Sequence, residues 1–136
     1  MRLRSLAIVV IIICAAAMSS ARVPARSSRA LDPGYSVALA AANRFLQAWQ
    51  VQDHETAIVM LTDAARQHTS PEHLSDFFSP SPQAAYEIAH GKRLGPAQYV
   101  FPVVLFGFNG APSRPRYCKV IVIRTGKEDW AVDRLP

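Results

Sequence analysis

Cysteine is nearly absent from this chain. Its 136 residues include two cysteines, Cys14 in an apolar stretch near the N-terminus and Cys118 near the C-terminus. If the N-terminal stretch is removed, Cys118 has no intramolecular partner, which excludes an internal disulfide even in an oxidising compartment. We interpret Cys118 as a small buried residue of a strand, with a free thiol or an intermolecular bridge as the alternatives.

The folded part of the sequence also lacks a basic stripe. The formal net charge is +5, but residues 1–32 carry five arginines and one aspartate. From Pro33 onward, ten Lys/Arg residues face nine Asp/Glu residues, and the two signs are interspersed. A nucleic-acid-binding domain is expected to concentrate positive charge on one face. We therefore expect no nucleic-acid partner, and the basic linker fits a solvated spacer or a weak attraction to anionic lipid.

No apolar run is long enough to cross a bilayer comfortably. The longest, residues 6–18, is shorter than the roughly 20 residues that a spanning helix needs. Arg2 and Arg4 precede it, and the small residues Ser19 and Ala21 follow it, which is typical of a secretory signal peptide. An uncleaved membrane anchor is the alternative, and either one places the domain outside the cytoplasm. The predicted organisation is a signal peptide at 1–21, a flexible basic linker at 22–34 and one domain at 35–136.

Motifs for cofactor chemistry are missing as well. We find no metal-ligand spacing, no nucleophile elbow and no glycine-rich loop that cradles phosphate. We therefore expect neither a metal nor an organic cofactor.

Three helices are predicted in the first half of the domain. Apolar residues recur at helical spacing from Tyr35 to a break near residues 52–54, and Phe45 and Trp49 lie one turn apart on that face. A second helix is predicted from Glu55 to about Gln67. A third begins at residues 70–71, a serine cap followed by proline, and ends before the prolines of residues 79–82.

The period then changes from helix to strand. Strands are predicted at 84–90, 98–108, 116–124 and 130–135, with turn regions at 91–96, 109–115 and 125–129. Pro102 interrupts the longest strand and predicts a bulge or an edge position there. Helices followed by a strand meander indicate an α+β fold in which the helices cover one face of a curved antiparallel sheet.

Several strings in this order resemble the nuclear-transport-factor-two-like superfamily, the cone-shaped fold that includes ketosteroid isomerase and scytalone dehydratase. They are FLQAWQVQD at residues 45–53, QYVFPVVLF at 98–106 and the ending VIVIRTGKEDWAVDRL at 120–135. The resemblance covers essentially the whole domain. It implies the cone fold but not one activity, because such folds host enzymes, ligand binders and scaffolds.

The resemblance implies a site in the mouth of the cone. The ligand-pocket candidates are Phe45, Trp49, Tyr86, Tyr99, Phe101 and Trp130. The acid–base candidates are Asp53, His54 and His90. The alternative for the aromatic set is ordinary core packing, and for the polar set it is helix capping or surface exposure.

Three functional hypotheses follow. The first is an exported, non-catalytic domain that binds a small apolar ligand or an envelope protein. The second is a cofactor-free lyase or isomerase acting on a hydrophobic carbonyl compound, and the third is a membrane-anchored component of a secretion or envelope complex. The strand at 98–108 is apolar on both faces, which favours a homodimer that pairs through the sheet.

Overall fold

Four helices and five strands follow one another along residues 32–108 and 114–136, the parts of the chain that the computed structural model describes. The predicted signal peptide, most of the basic linker and most of the predicted 109–115 loop lie outside these residues. The helices are α1 (Pro33–Gln50), α2 (His54–Val59), α3 (Asp63–Gln67) and α4 (Pro71–Phe77). The strands are β1 (Ala85–Ile88), β2 (Lys92–Gly95), β3 (Gln98–Phe106), β4 (Arg116–Arg124) and β5 (Trp130–Arg134).

Helix α1 begins two residues earlier than predicted. Asp32 adopts an extended backbone, its carboxylate accepts a hydrogen bond from the Gly34 amide at 3.0 Å, and Pro33 occupies the first helical position. Aspartate followed by proline is a strong start signal, because the cap satisfies a free amide and proline has none to lose. The last residues of the predicted linker therefore belong to the helix.

The prediction of one continuous helix from Glu55 to Gln67 is wrong. The chain leaves the helix after Val59 and re-enters one at Asp63. Between them, Leu61 pairs in parallel with Val132 of β5, and the Thr62 amide donates to the Val132 carbonyl at 2.9 Å. This segment covers the free edge of β5, which explains why a helical pattern is interrupted there. The third predicted helix is confirmed as α4, with Ser70 as its cap.

The sheet is antiparallel, in the order β1-β3-β4-β5, and β2 also pairs with β3. The predicted turn at 91–96 is therefore wrong, because Lys92 and Arg93 pair with Val100 and Tyr99. Residues 92–95 contain no β-branched side chain, so strand propensity gives no signal for β2. Pairing with β3 creates this strand.

Pro102 lies in a central strand with no register shift, and the predicted bulge or edge position is wrong. The Pro102 carbonyl accepts from the Ala89 amide at 2.9 Å. In an antiparallel strand the nitrogen and carbonyl of one residue point to the same side, so the missing N–H of Pro102 also faces Ala89. Ala89 lies in the short segment between β1 and β2, so the N–H that Pro102 lacks would have pointed there. The hydrogen bonds between β3 and β4 are therefore all retained.

The core lies between α1 and the inner face of the sheet. Strand β3 contributes Tyr99, Phe101, Val103 and Leu105 to it, which alternate with less buried residues. Helix α1 contributes a continuous apolar face, consisting of Ala38, Ala42, Phe45, Leu46, Ala48 and Trp49. This is the predicted α+β architecture, with helices on one face of a curved antiparallel sheet.

Candidate functional site

Four of the six ligand-pocket candidates lie inside the core. Phe45, Trp49 and Phe101 are fully buried and Tyr99 is 1% exposed. The ring centroids of Tyr99 and Phe101 lie 6.5 Å apart, and Trp49 packs against Phe77 at 6.1 Å. These aromatic side chains pack against one another and fill the space between α1 and the sheet, so they form part of a close-packed core.

The buried polar atom of Trp49 is satisfied within this core. Its indole N–H donates to the Phe77 carbonyl at 2.7 Å, which ties α1 to the end of α4. None of the charged or amide side chains in the described residues is buried. The described interior is therefore filled by apolar and aromatic side chains and contains no charged group.

Tyr99 reaches the surface only through its hydroxyl, which donates to the Asp32 carboxylate at 2.5 Å. Burial and this carboxylate raise the pKa of Tyr99, and the Tyr99 hydrogen bond lowers the pKa of Asp32. Arg93 lies 3.6 Å from the same carboxylate. Asp32 thus joins α1, β2 and β3 at the point where the basic linker ends. Sequence analysis missed it, although the Asp-Pro pair at 32–33 signals a helix start.

The other two pocket candidates line surface clefts. Trp130 is half-buried, contacts Tyr99 at 5.5 Å between ring centroids, and lines two adjoining clefts of about 290 and 420 Å³ that also include Val37. Tyr86 lines a cleft of about 540 Å³ between α1 and β1, and its hydroxyl donates to the Asn43 side-chain oxygen at 2.8 Å. Burial raises the pKa of Tyr86. Trp130 and Tyr86 therefore line separate clefts.

The three acid–base candidates are not brought together. Asp53 caps α2, where its carboxylate accepts from the Thr56 amide at 3.1 Å, and hydrogen bonding from Thr56 lowers the Asp53 pKa. His54 is exposed and packs against Phe78. His90 contacts the Tyr35 hydroxyl at 3.3 Å, in the first turn of α1. The 18 residues of α1, about 27 Å, separate the first two from the third.

Comparison with known proteins agrees with this architecture. No family profile and no curated protein matches the chain. A ketosteroid isomerase-like protein from Erwinia carotovora atroseptica SCRI1043 superimposes with a TM-score of 0.56, and the match covers 76% of this chain and 93% of that one at 17% identity. The chain has the nuclear-transport-factor-two-like cone fold. At this identity the likeness extends to the fold and leaves the function to the residues of this chain.

The outer face of the cone's sheet carries an apolar strip. Strands β3 and β4 place Val100 opposite Ile121 and Val104 opposite Tyr117, on the face away from the helices. Tyr117 is 78% exposed and the other three are partly exposed. We call these four residues the outer strip. Clusters of exposed apolar side chains are one feature by which interaction surfaces are recognised.

Cys118 faces the inner side of the cone. It pairs with Val103, its thiol lies 3.6 Å from the Val103 carbonyl, and burial raises the thiol pKa to about 11. Within residues 32–108 and 114–136, no group of three His, Cys, Asp or Glu side chains could hold a metal ion. No helix in that part of the chain combines the length and apolarity that a membrane crossing needs.

Proposed function

We propose that this chain is an exported, non-catalytic domain that binds another protein through the outer strip, and that its first partner is a second copy of itself. The observation that carries the proposal is the distribution of apolar side chains. The aromatic residues on the inner face of β3 are fully buried, whereas Tyr117 and its neighbours on the outer face remain accessible. A domain whose interior is filled by its own side chains binds through its surface.

Two copies that pair through their sheets would cover the outer strip and stabilise both. Strand β4 combines Tyr117 and Ile121 with the charged Lys119 at the same face. Lys119, which is paired with Pro102, lies between the two apolar pairs, so the strip is apolar at both ends and carries one charge at its middle. Because a twofold contact joins the same patch on both copies, one substitution in the strip is introduced twice.

The test is the mass of the exported protein in solution, measured by sedimentation equilibrium. We expect twice the monomer mass for the unmodified protein and the monomer mass for Tyr117→Glu, which brings two carboxylates to the contact. Val59→Glu is the matched control, because Val59 is 74% exposed on α2, away from the sheet. A monomeric unmodified protein, or equal effects of the two substitutions, would contradict the proposal.

The non-catalytic part of the proposal rests on the separation of the titratable candidates. Acid–base catalysis requires a positioned proton donor or acceptor within hydrogen-bonding reach of the substrate. Asp53 and His90 lie at opposite ends of α1. We expect hydrophobic ketones to remain unconverted when incubated with the protein. Conversion that is lost in Asp53→Asn or His90→Gln would establish the lyase or isomerase hypothesis instead.

A second candidate function is the binding of a small apolar ligand beside Trp130. The half-buried indole and Val37, which is 47% exposed, line the same two clefts. We expect the fluorescence emission of Trp130 to shift to the blue when a bound ligand excludes water from the indole. Val37→Asp should weaken this shift, and the control Val59→Asp should leave it unchanged. A ligand that binds equally well to both variants would place the site elsewhere.

Export itself is tested at the N-terminus of the protein recovered outside the cytoplasm. Cleavage of the predicted signal peptide after Ala21 gives a chain that begins at Arg22, and cleavage after Ala25, which Val23 and Ala25 also allow, gives one that begins at Arg26. An intact Met1 in a membrane fraction would support the anchored alternative.

A further inference from the structure

The two edges of the sheet differ in what covers them. The edge of β5 is occupied by residues 60–62, because the Thr62 amide donates to the Val132 carbonyl and the Val132 amide donates to the Met60 carbonyl, at 2.9 and 2.8 Å. At the other edge, β2 carries Lys92 and Arg93, and charged side chains oppose strand addition. Strand β1 is the remaining part of that edge.

The register shows which backbone groups of β1 are unpaired. The Ala89 amide donates to the Pro102 carbonyl, so residues 89, 87 and 85 direct their backbone groups toward β3. The intervening Tyr86 and Ile88 therefore direct their amides and carbonyls away from the sheet. No described residue forms a hydrogen bond with these four groups.

The same two residues line the cleft between α1 and β1. Tyr86 and Ile88 form one wall of this cleft, whose volume is about 540 Å³. The opposite wall consists of Ser36, Leu39, Ala40 and Asn43. Both walls are uncharged and partly apolar. A strand added beside β1 would place its side chains opposite Tyr86 and Ile88 in this cleft, since directly opposed residues share a face.

The charge of Glu87 favours one type of residue in an added strand, at the position between those opposite Tyr86 and Ile88. Glu87 is exposed on the outer face of β1, opposite the uncharged Val104, and forms no ion pair with the described residues. The residue of an added strand that lies directly opposite Glu87 is therefore favoured when it is lysine or arginine.

We propose that the free edge of β1 binds an extended segment of a partner protein with the pattern apolar–basic–apolar. The two apolar residues enter the α1–β1 cleft, the basic residue faces Glu87, and Tyr86 and Ile88 exchange backbone hydrogen bonds with the segment. This is strand addition to an open sheet edge, in which main-chain bonds provide affinity and alternate side chains provide specificity. The site adjoins the outer strip, because Glu87 lies opposite Val104, but its free backbone groups belong to β1 and its cleft lies between α1 and β1.

The probe is the capped peptide acetyl-Thr-Val-Lys-Val-Thr-amide, titrated into the isotope-labelled exported protein and followed by NMR. We expect saturable shifts centred on Tyr86 and Ile88 and slower hydrogen exchange at their two amides. A peptide methylated at the two valine nitrogens serves as a control and should not bind. Absence of saturation, or shifts centred on Trp130 or the outer strip, would overturn the proposal.

Two variants test the geometry. Ile88→Pro removes an amide that points away from β3, so the β1–β3 ladder keeps its hydrogen bonds and affinity for the peptide falls at least about tenfold. Glu87→Lys weakens binding of the lysine peptide about threefold and strengthens binding of the matching glutamate peptide by a similar factor. Glu72→Lys on α4 makes the same charge change elsewhere and should alter neither affinity.

Failure of this proposal is distinguishable from failure of the proposed dimer. Tyr117→Glu should bind the peptide as tightly as the unmodified protein does, because Tyr117 lies on β4, two strands away from β1. If Ile88→Pro unfolds the protein, the test rests on Glu87→Lys. This substitution should leave the fold intact, since the exposed Glu87 side chain forms no ion pair with a described residue. Unchanged affinity in Glu87→Lys would then overturn the predicted specificity.

Discussion

At the scale of single residues, Asp32 has the largest number of distinct roles. Its carboxylate caps α1, accepts the buried Tyr99 hydroxyl and lies near Arg93. The side chain is nevertheless 39% exposed, so solvent limits the contribution of the ion pair. The hydrogen bonds of Asp32, which hold the start of α1 against β3, therefore contribute more to stability than its ion pair with Arg93.

These contacts predict how stability depends on pH. The pKa of Asp32 is lowered, so its contribution is present above the unfolded value of about 3.9 and is lost as the pH falls through the folded value. The pKa of Tyr99 is raised, so its contribution is present below about 10 and is lost as the pH rises through the folded value. Urea unfolding across the pH range measures the free energy of unfolding, which should fall both at acid pH, the acid limb, and at alkaline pH, the alkaline limb. Asp32→Asn should flatten the acid limb, and Asp76→Asn, an exposed control on α4, should leave it steep.

Gly91 tests how tightly the core is packed. A Cβ at this position would lie 2.4 Å from the Phe101 ring and 2.7 Å from the Val100 carbonyl oxygen, which requires the buried ring to move. We expect Gly91→Ala to lower the free energy of unfolding by about 1–3 kcal/mol. Gly95→Ala is the matched control, because a Cβ there meets nothing within 4 Å. Equal unfolding midpoints for the two variants would mean that the Phe101 ring has room to shift.

At the scale of elements, the break between α2 and α3 depends on Thr62. Its hydroxyl accepts from the Ala65 amide at 3.0 Å and donates to the Asp133 carboxylate at 2.9 Å. One side chain thus caps a helix and fixes it to β5.

Thr62→Val removes both hydrogen bonds while keeping the side-chain shape. We expect it to lower the free energy of unfolding by about 1–2 kcal/mol, with Thr62→Ser close to the unmodified protein. Chemical denaturation compares the three. If Thr62→Ser is as destabilised as Thr62→Val, the lost stability comes from packing of the methyl group and the capping explanation fails.

The elements that sequence analysis predicted correctly are those with local signals. Helix α4 has a serine cap followed by proline, and β4 has dense β-branched residues. The break at Leu61 and strand β2 were missed because both depend on partners distant in sequence, Val132 for one and residues 98–100 for the other. Local propensity contains no information about such pairing.

The candidate site was also predicted only as far as the sequence carries local signals. The aromatic set was proposed as a ligand pocket because of the resemblance to the cone fold, but that resemblance does not tell a filled interior from a cavity. Trp130 and Phe101 both looked like pocket residues, yet one is half-buried and the other fully buried. Asp32 was missed because its partner Tyr99 lies 67 residues away in the chain.

At the scale of the whole molecule, the cone fold offers two places to bind, its interior and its surface. In this chain Phe45, Trp49, Tyr99 and Phe101 fill the interior. The accessible apolar side chains lie on the surface instead, where Tyr117 of the outer strip is the most exposed of them, and Val37, Val51, Val59 and Leu94 are exposed at separate positions. This distribution supports the proposed interaction domain, and solvent accessibility is the property that distinguishes it from a domain that binds a ligand in its interior.

The most direct test is NMR line broadening of methyl groups by a dissolved paramagnetic agent, measured on residues 32–136 at concentrations above and below those at which the proposed dimer forms. We predict that Val103 and Val120 are protected at every concentration, that Val59 is always broadened, and that Val104 and Ile121 become protected only when the protein associates. Broadening of Val103 and Val120 would reveal a solvent-filled cone. Persistent broadening of Val104 and Ile121 would show that the outer strip does not pair, and would contradict the proposed function.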